Sequence, residues 1–247
     1  MIARIVAAAA PVAVGAVTLV LFALVAARVR LLSPLAALGV LSLALLGGGT
    51  LSLGLGLGLR ARLRAGQGAD GPTRAAALLA LLTGLVLVGV ILFQGARAAG
   101  RPGIHDITTR PDDPPALVAA RDHPDNRGRD LDYPHGPADS AERQRRAYPD
   151  IAPIRLDVGR AEAWARARRA AVALGWAIVT EDAGAGTFEA TAETPVLRFV
   201  DDVAVRVRGR EGGSVIDVRS LSRVGVGDMG ANAARIRRFR EALHGNR

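Results

Sequence analysis

Cysteine and lysine are both missing from the 247 residues, so all 32 basic side chains are Arg. Without cysteine there is no disulfide, no thiol nucleophile, no lipid-modified cysteine and no thiolate-bound metal. Aromatic residues make up only 4% of a chain that is 50% hydrophobic, which leaves burial to aliphatic side chains and alanine. Acids are scarce in one half only. Residues 1–98 hold eight Arg and a single acid, Asp70, whereas 24 Arg and 22 acids nearly balance beyond them. The formal charge of +9 therefore comes mainly from arginines flanking apolar runs, where Arg sets membrane orientation. Nucleic acid is not the partner this distribution indicates.

Three apolar runs occupy the first half. Ile5 to Ala27 is uncharged for 23 residues and Leu31 to Leu59 for 29, and the 22 residues from Ala75 to Ala96 have only Thr83 and Gln94 as polar interruptions. Each is long enough, at about 1.5 Å per residue, to cross a hydrocarbon layer of about 30 Å. The first run is too long for the apolar core of a signal peptide. Gly47, Gly48 and Gly49 are expected to pack against neighbours or mark a bend, and Leu53 to Leu59 alternates Leu with Gly as a ridge another helix can approach. No ionisable side chain lies inside the runs, which disfavours a transporter. Arg60, Arg62, Arg64 and Arg74 outnumber Arg28 and Arg30 of the preceding loop, so the richer loop is expected in the cytoplasm. This predicts a multi-pass protein of the inner (cytoplasmic) membrane, with the N-terminus inside and everything after the third run periplasmic or otherwise extracytoplasmic.

Residues 99–150 are rich in Pro, Asp and Arg and too poor in apolar residues to bury a core alone, so they read as an extended strap with one short helix near Asp139. His105, His123 and His135 lie there at spacings that lack a metal-site signature and read as solvated loop residues. From 151 to 247 the pattern is that of a compact α+β domain with an antiparallel sheet and two helices. A strand at Ile151–Leu156 precedes a helix from Arg160 to Leu174, with Trp164, Arg168, Ala171 and Leu174 near helical spacing and Gly175 as its stop. Strands follow at Trp176–Glu181 and Thr187–Ala192. The alternation of Val203, Val205 and Val207, answered by Ile216 and Val218, predicts a hairpin through Gly209–Gly213, with Arg206 and Arg208 meeting Asp217 on its solvent face. Asp228 is placed to cap a last helix through Met229, Ala233, Ile236, Phe239 and Leu243, with Arg235, Arg237, Arg238 and Glu241 mostly on the opposite face.

The stretch Asp201-Asp202-Val203, followed by Asp217 to Ile236, resembles a bacterial family, the domain of unknown function 1499, over about residues 104–243. The family's pattern often has Ser where Gly227 stands and Leu where Met229 stands, and many relatives open with a cysteine that this chain lacks. The resemblance implies an envelope or membrane-associated protein and no particular activity.

The residues of that stretch supply the candidate site: Asp201, Asp202, Arg219, Ser222, Arg223, Asp228, Asn232 and Arg235. Asp228, Asn232 and Arg235 fall on one helix edge, and Asp201 or Asp202 is positioned to pair bidentately with Arg223 or Arg235. Such a set makes either a polar lock between strand end and helix start or a pocket for an anionic group. No nucleophile, base and orienting partner assemble from the spacing, so no catalytic residue, cofactor or metal is assigned. The expected function is a non-enzymatic binding or scaffold module, held in the lipid bilayer, for an envelope protein or an anionic small molecule. A membrane-anchored hydrolase using Asp201, Asp202 and Ser222, or an accessory subunit of a transporter, are the alternatives.

Overall fold

The computed structural model describes residues 2–67, 70–134, 137–225 and 227–245. It divides into a helical unit over the residues up to Ala99 and a sheet unit of Gly100–Thr194 and the residues from Phe199 on.

The helical unit contains α1 (Ile2–Arg28), α2 (Pro34–Ser42), a π-helical stretch (Leu43–Gly48), α3 (Gly49–Arg64) and α4 (Gly71–Ala99). Ser33 begins α2, accepting the Ala36 N–H at 3.2 Å one residue before Pro34. The segments from Pro34 to Arg64 run on as one rod, so three helices are long and apolar enough to cross a membrane. Their packing inverts that of a water-soluble bundle. Ala9, Ala13, Ala16, Ala23 and Ala26 are buried, while Val14, Leu21, Phe22 and Val25 point outward. Lipid provides no drive to hide large apolar groups from it, so small residues take the interfaces. The three consecutive glycines stay helical: Gly48 presses on Ala16 and Gly49 on Leu87. Only part of the Leu-Gly ridge is used. A Cβ on Gly56 would lie 2.5 Å from the Leu81 backbone N, and one on Gly84 would overlap the Leu53 backbone, whereas Gly54 and Gly58 have open space.

The sheet unit is built on six antiparallel strands: β1 (Asp106–Thr108), β2 (Ile154–Leu156), β3 (Ala177–Asp182), β4 (Thr187–Glu193), β5 (Val200–Arg210) and β6 (Gly213–Ser222). Their order is β1-β6-β5-β4-β3, with β2 also on β6. Three helices accompany them, α5 (Ser140–Ala147), α6 (Arg160–Ala173) and α7 (Ala231–Gly245).

Strand alternation sorts the side chains onto two faces. Phe188, Ala190, Val203, Val205, Val207, Ile216 and Val218 form the main core with α6 and α7. Of the expected stripe α6 fully buries Ala171 alone, and the other residues it buries are Ala163, Ala167 and Ala170. Trp164 and Leu174 pack only partly, and Arg168 is half-buried and paired with Glu181. The alanine face lets α6 lie close to the sheet. In α7, Ala233, Ile236, Phe239 and Leu243 face the core, with Phe239 stacked on Trp176 at 5.0 Å between centroids.

The opposite face is covered by the Pro-rich segment, which joins the fold. Ile104 and Ile107 enter the main core, and Leu117, Ala120 and Leu131 cluster with Ala204 and Leu221 on the second face. Asp217, expected on a solvent face, is 0% exposed beneath it. Arg206 and Arg208 do reach Asp217, at 3.2 and 2.7 Å, and Arg110 and Asp113 from the covering segment complete that network. The histidines differ from the solvated reading as well. His105 is buried because it leads into β1, and His123 lies against Arg223, while His135 is outside the described residues.

Candidate functional site

The aspartates Asp201 and Asp202 are neighbours on β5 and so point to opposite faces of the sheet. Each finds one of the two arginines, which divides the candidate residues into two clusters.

On the helix-covered face, Asp201 pairs with Arg235, and both side chains are almost wholly buried. The placement of Arg235 corrects its expected outward orientation: a buried carboxylate on β5 draws the guanidinium inward. Arg235 also donates to Ser220 Oγ at 2.9 Å and to Asn232 Oδ1 at 2.5 Å. Asn232 uses its full hydrogen-bonding capacity, since Oδ1 additionally accepts from Ser220 and Nδ2 donates to the His105 carbonyl and to Ser222 Oγ, each at 2.9 Å. Asp228 accepts the Gly230 and Asn232 N–H groups at 2.8 and 2.7 Å. The helix itself begins at Ala231, later than expected, because Met229 (φ 52°) and Gly230 (φ 84°) are left-handed.

On the covered second face, Arg223 forms a fork on Asp202, with Nη2 to Oδ1 at 2.7 Å and Nε to Oδ2 at 3.0 Å. Its Nη1 reaches Asp125 at 3.1 Å and His123 Nδ1 at 3.0 Å. Asn126 donates to Asp202 and to the Ala120 carbonyl, both at 2.8 Å, and accepts from Arg129, which also holds the Ser222 carbonyl at 3.0 Å. Further along this face, Arg219 grips Asp106 at 2.9 and 2.8 Å, reaches the Leu131 carbonyl, and lies 5.5 Å above the Tyr133 ring. Glu189 accepts the amides of Val118, Ala119 and Ala120 at 2.8 to 3.0 Å, fastening the covering segment to β4. The eight candidates thus do not converge on one center. Asp201, Ser222, Asn232, Arg235 and Asp228 form one group, and Asp202, Arg223 and Arg219 belong to the other face.

Burial and charge set the titrations. Burial raises the Asp201 carboxyl above the ordinary 3.8 despite the Arg235 charge, and burial, reinforced by the Asp106 charge, pushes the Tyr133 phenol up to about 12. The hydrogen bond from Arg237 holds Asp150 below the ordinary range. In a carboxyl-carbon NMR titration of the full chain, Asp201 is expected to titrate above 3.8 and Asp150 below it. The two act oppositely on stability. Between 3.8 and its raised value the folded Asp201 holds more proton than the unfolded one, so its contribution declines as pH rises through that window. The contribution of Asp150 is present above 3.8 and is lost as pH falls through its depressed folded value. Coincident titration of the two would contradict this assignment.

Open space adjoins one cluster. Asp202 and Arg223 line a cavity of about 260 Å³ together with His123, Ala119, Ala190 and Val179. Ser220, Asp106, Asn126, Arg129 and Glu189, with His123 and Asp125 beside Arg223, are participants that the sequence reading missed. Ser220 was detectable, because it shares the inward parity of Val218 in a strand already identified. The covering segment has no such periodicity. Among the described residues, no group of three or more His, Asp or Glu is placed to hold a metal ion.

Compared with known proteins, residues 106–243 match the family model described as "Protein of unknown function (DUF1499)". No curated protein matches the chain.

Proposed function

Given that the chain belongs to the DUF1499 family through its sheet unit, we propose that it is a membrane-anchored, non-enzymatic binding module whose sheet unit docks a partner protein outside the cytoplasm. The cavity beside Arg223 carries this reading. At about 260 Å³ it falls below the roughly 300–1,000 Å³ of small-molecule sites and suits one anchoring side chain. Its apolar lining of alanines and Val179 favours an apolar anchor. An anionic ligand is less well served, since Arg223 already faces the carboxylates of Asp202 and Asp125.

A hydrolase using Ser222 is disfavoured by the bonds that hold its hydroxyl. Ser222 Oγ is fixed by Asn232 and by Asp201, and Asp201 is itself neutralised by Arg235. Ser222 is also buried, and with its hydroxyl held on both sides it is not presented to a substrate.

The test is affinity capture with the full-length chain in mild detergent, followed by mass spectrometry of the retained proteins and small molecules. Val179 is 53% exposed at the cavity. Val179→Trp is expected to fill the opening and reduce partner retention by about tenfold, with a melting temperature within about 2 °C of the parent. Undiminished retention by that variant, or retention of a small anion in place of protein, would overturn the docking reading.

A further inference from the structure

We propose that the paired ends of α3 and α4 form a binding site for the phosphate headgroup of an anionic phospholipid. Arg60, Arg62 and Arg64 lie in the last turns of α3, and Arg74 lies in the first turn of α4. Arg60, Arg64 and Arg74 are exposed and Arg62 is half-buried. Asp70 is the sole acid among residues 1–98, and its Oδ1 accepts the Thr73 N–H. Four arginines therefore lie in the adjoining ends of two packed helices, where Asp70 is the one acid.

The support beneath them is rigid. Ala65 and Gly66 close α3 by donating to the Ala61 and Leu63 carbonyls at 3.1 and 3.2 Å, and the Gln67 N–H returns to the Arg62 carbonyl at 3.0 Å. Leu59 is buried with Ala9, Ala13, Ala77 and Ala80, and Leu63 packs against them, so the arginines project from a packed three-helix end. The uncharged run ends at Leu59, which puts the next residue, Arg60, where hydrocarbon gives way to headgroups. Guanidinium forks match phosphate oxygens bidentately, and clustered basic residues beside a span attract anionic lipid.

The inference rests on the helices being membrane spans, and that premise is tested separately by alkaline carbonate washing of membranes containing the full chain. Release into the supernatant would end the spanning reading and the lipid site with it. The lipid site is tested by reconstituting the full chain into nanodiscs of phosphatidylcholine with a minor fraction of phosphatidylglycerol, then identifying retained lipid by native mass spectrometry. Phosphatidylglycerol is expected to be retained about fivefold above its share of the bilayer, and molar salt should abolish that enrichment. The quadruple variant Arg60→Gln, Arg62→Gln, Arg64→Gln, Arg74→Gln should retain both lipids in proportion to supply, and the corresponding Lys variant should keep most of the preference. Millimolar inorganic phosphate should not compete, whereas competition would assign the site to a free anion. If the Gln variant fails to insert, the salt response of the parent chain decides. Equal retention of both lipids by the parent, salt-insensitive enrichment, or enrichment that survives in an inserted Gln variant would each overturn the proposal.

Discussion

Replacing Arg235 with Ala is expected to destabilise the sheet unit by about 3–5 kcal/mol, because it strands the buried Asp201 carboxylate without its counter-charge. The loss extends beyond the ion pair. Ser220 Oγ and Asn232 Oδ1 each lose a donor, at the junction where β6 and α7 are joined. Both tryptophans, Trp164 and Trp176, lie in the sheet unit, so fluorescence melting of the full chain reports on that unit directly. A fall in melting temperature on the order of 10 °C is expected. The double variant Arg235→Met with Asp201→Leu should recover a large part of the loss, since it removes the stranded charge as well as its partner. Glu162→Ala, which opens the exposed i,i+4 pair with Arg166, should change stability by less than about 1 kcal/mol. If Arg235→Ala melts like Glu162→Ala, the lock has no energetic meaning.

The helical unit should respond to added volume, though less strongly than the sheet unit does to lost charge. Gly84→Leu would drive a side chain into the Leu53 backbone, and Gly56→Leu would do the same at Leu81. Overpacking of this kind costs about 1–3 kcal/mol, and here the obstruction is backbone that cannot rotate aside. Circular dichroism melting in mild detergent should show an earlier transition for either variant, with an additive or larger effect in the pair. Gly54→Ala and Gly58→Ala lie on the same ridge but have open space, so both should melt with the parent. Equal behaviour of Gly54→Ala and Gly84→Leu would mean that α3 and α4 do not pack as described.

How far the sequence discloses this architecture depends on periodicity. Three uncharged apolar runs became three long helices, and the Val203, Val205, Val207 alternation became a central strand, because in each a single repeating requirement governs many consecutive positions. The site was legible by type but not by partner. Two aspartates and two arginines allowed several pairings, and β5 alternation chose Asp202 with Arg223 and Asp201 with Arg235. That choice was implicit in the parity Asp201 shares with Val203. Arg235 was misplaced because a charge on an amphipathic helix normally faces water. Asp106, Asn126 and Glu189 were invisible for a different reason. Their partners lie on β6, on β5 and in the covering turn respectively, and a proline-rich segment without periodicity carries no register to announce them.

Residues Asp106 to Thr108 pair with Arg219 to Leu221 on β6, across more than a hundred intervening positions. Ile154 to Leu156 wait for the same strand. During synthesis both outer strands therefore leave the ribosome long before their common neighbour exists, and the covering turn has no completed sheet to settle on. A polypeptide stopped just before Gly213 would leave both strands unmated and Asp106 without the guanidinium of Arg219, so the last seventh of the chain decides whether everything translated since the third apolar helix acquires a shape.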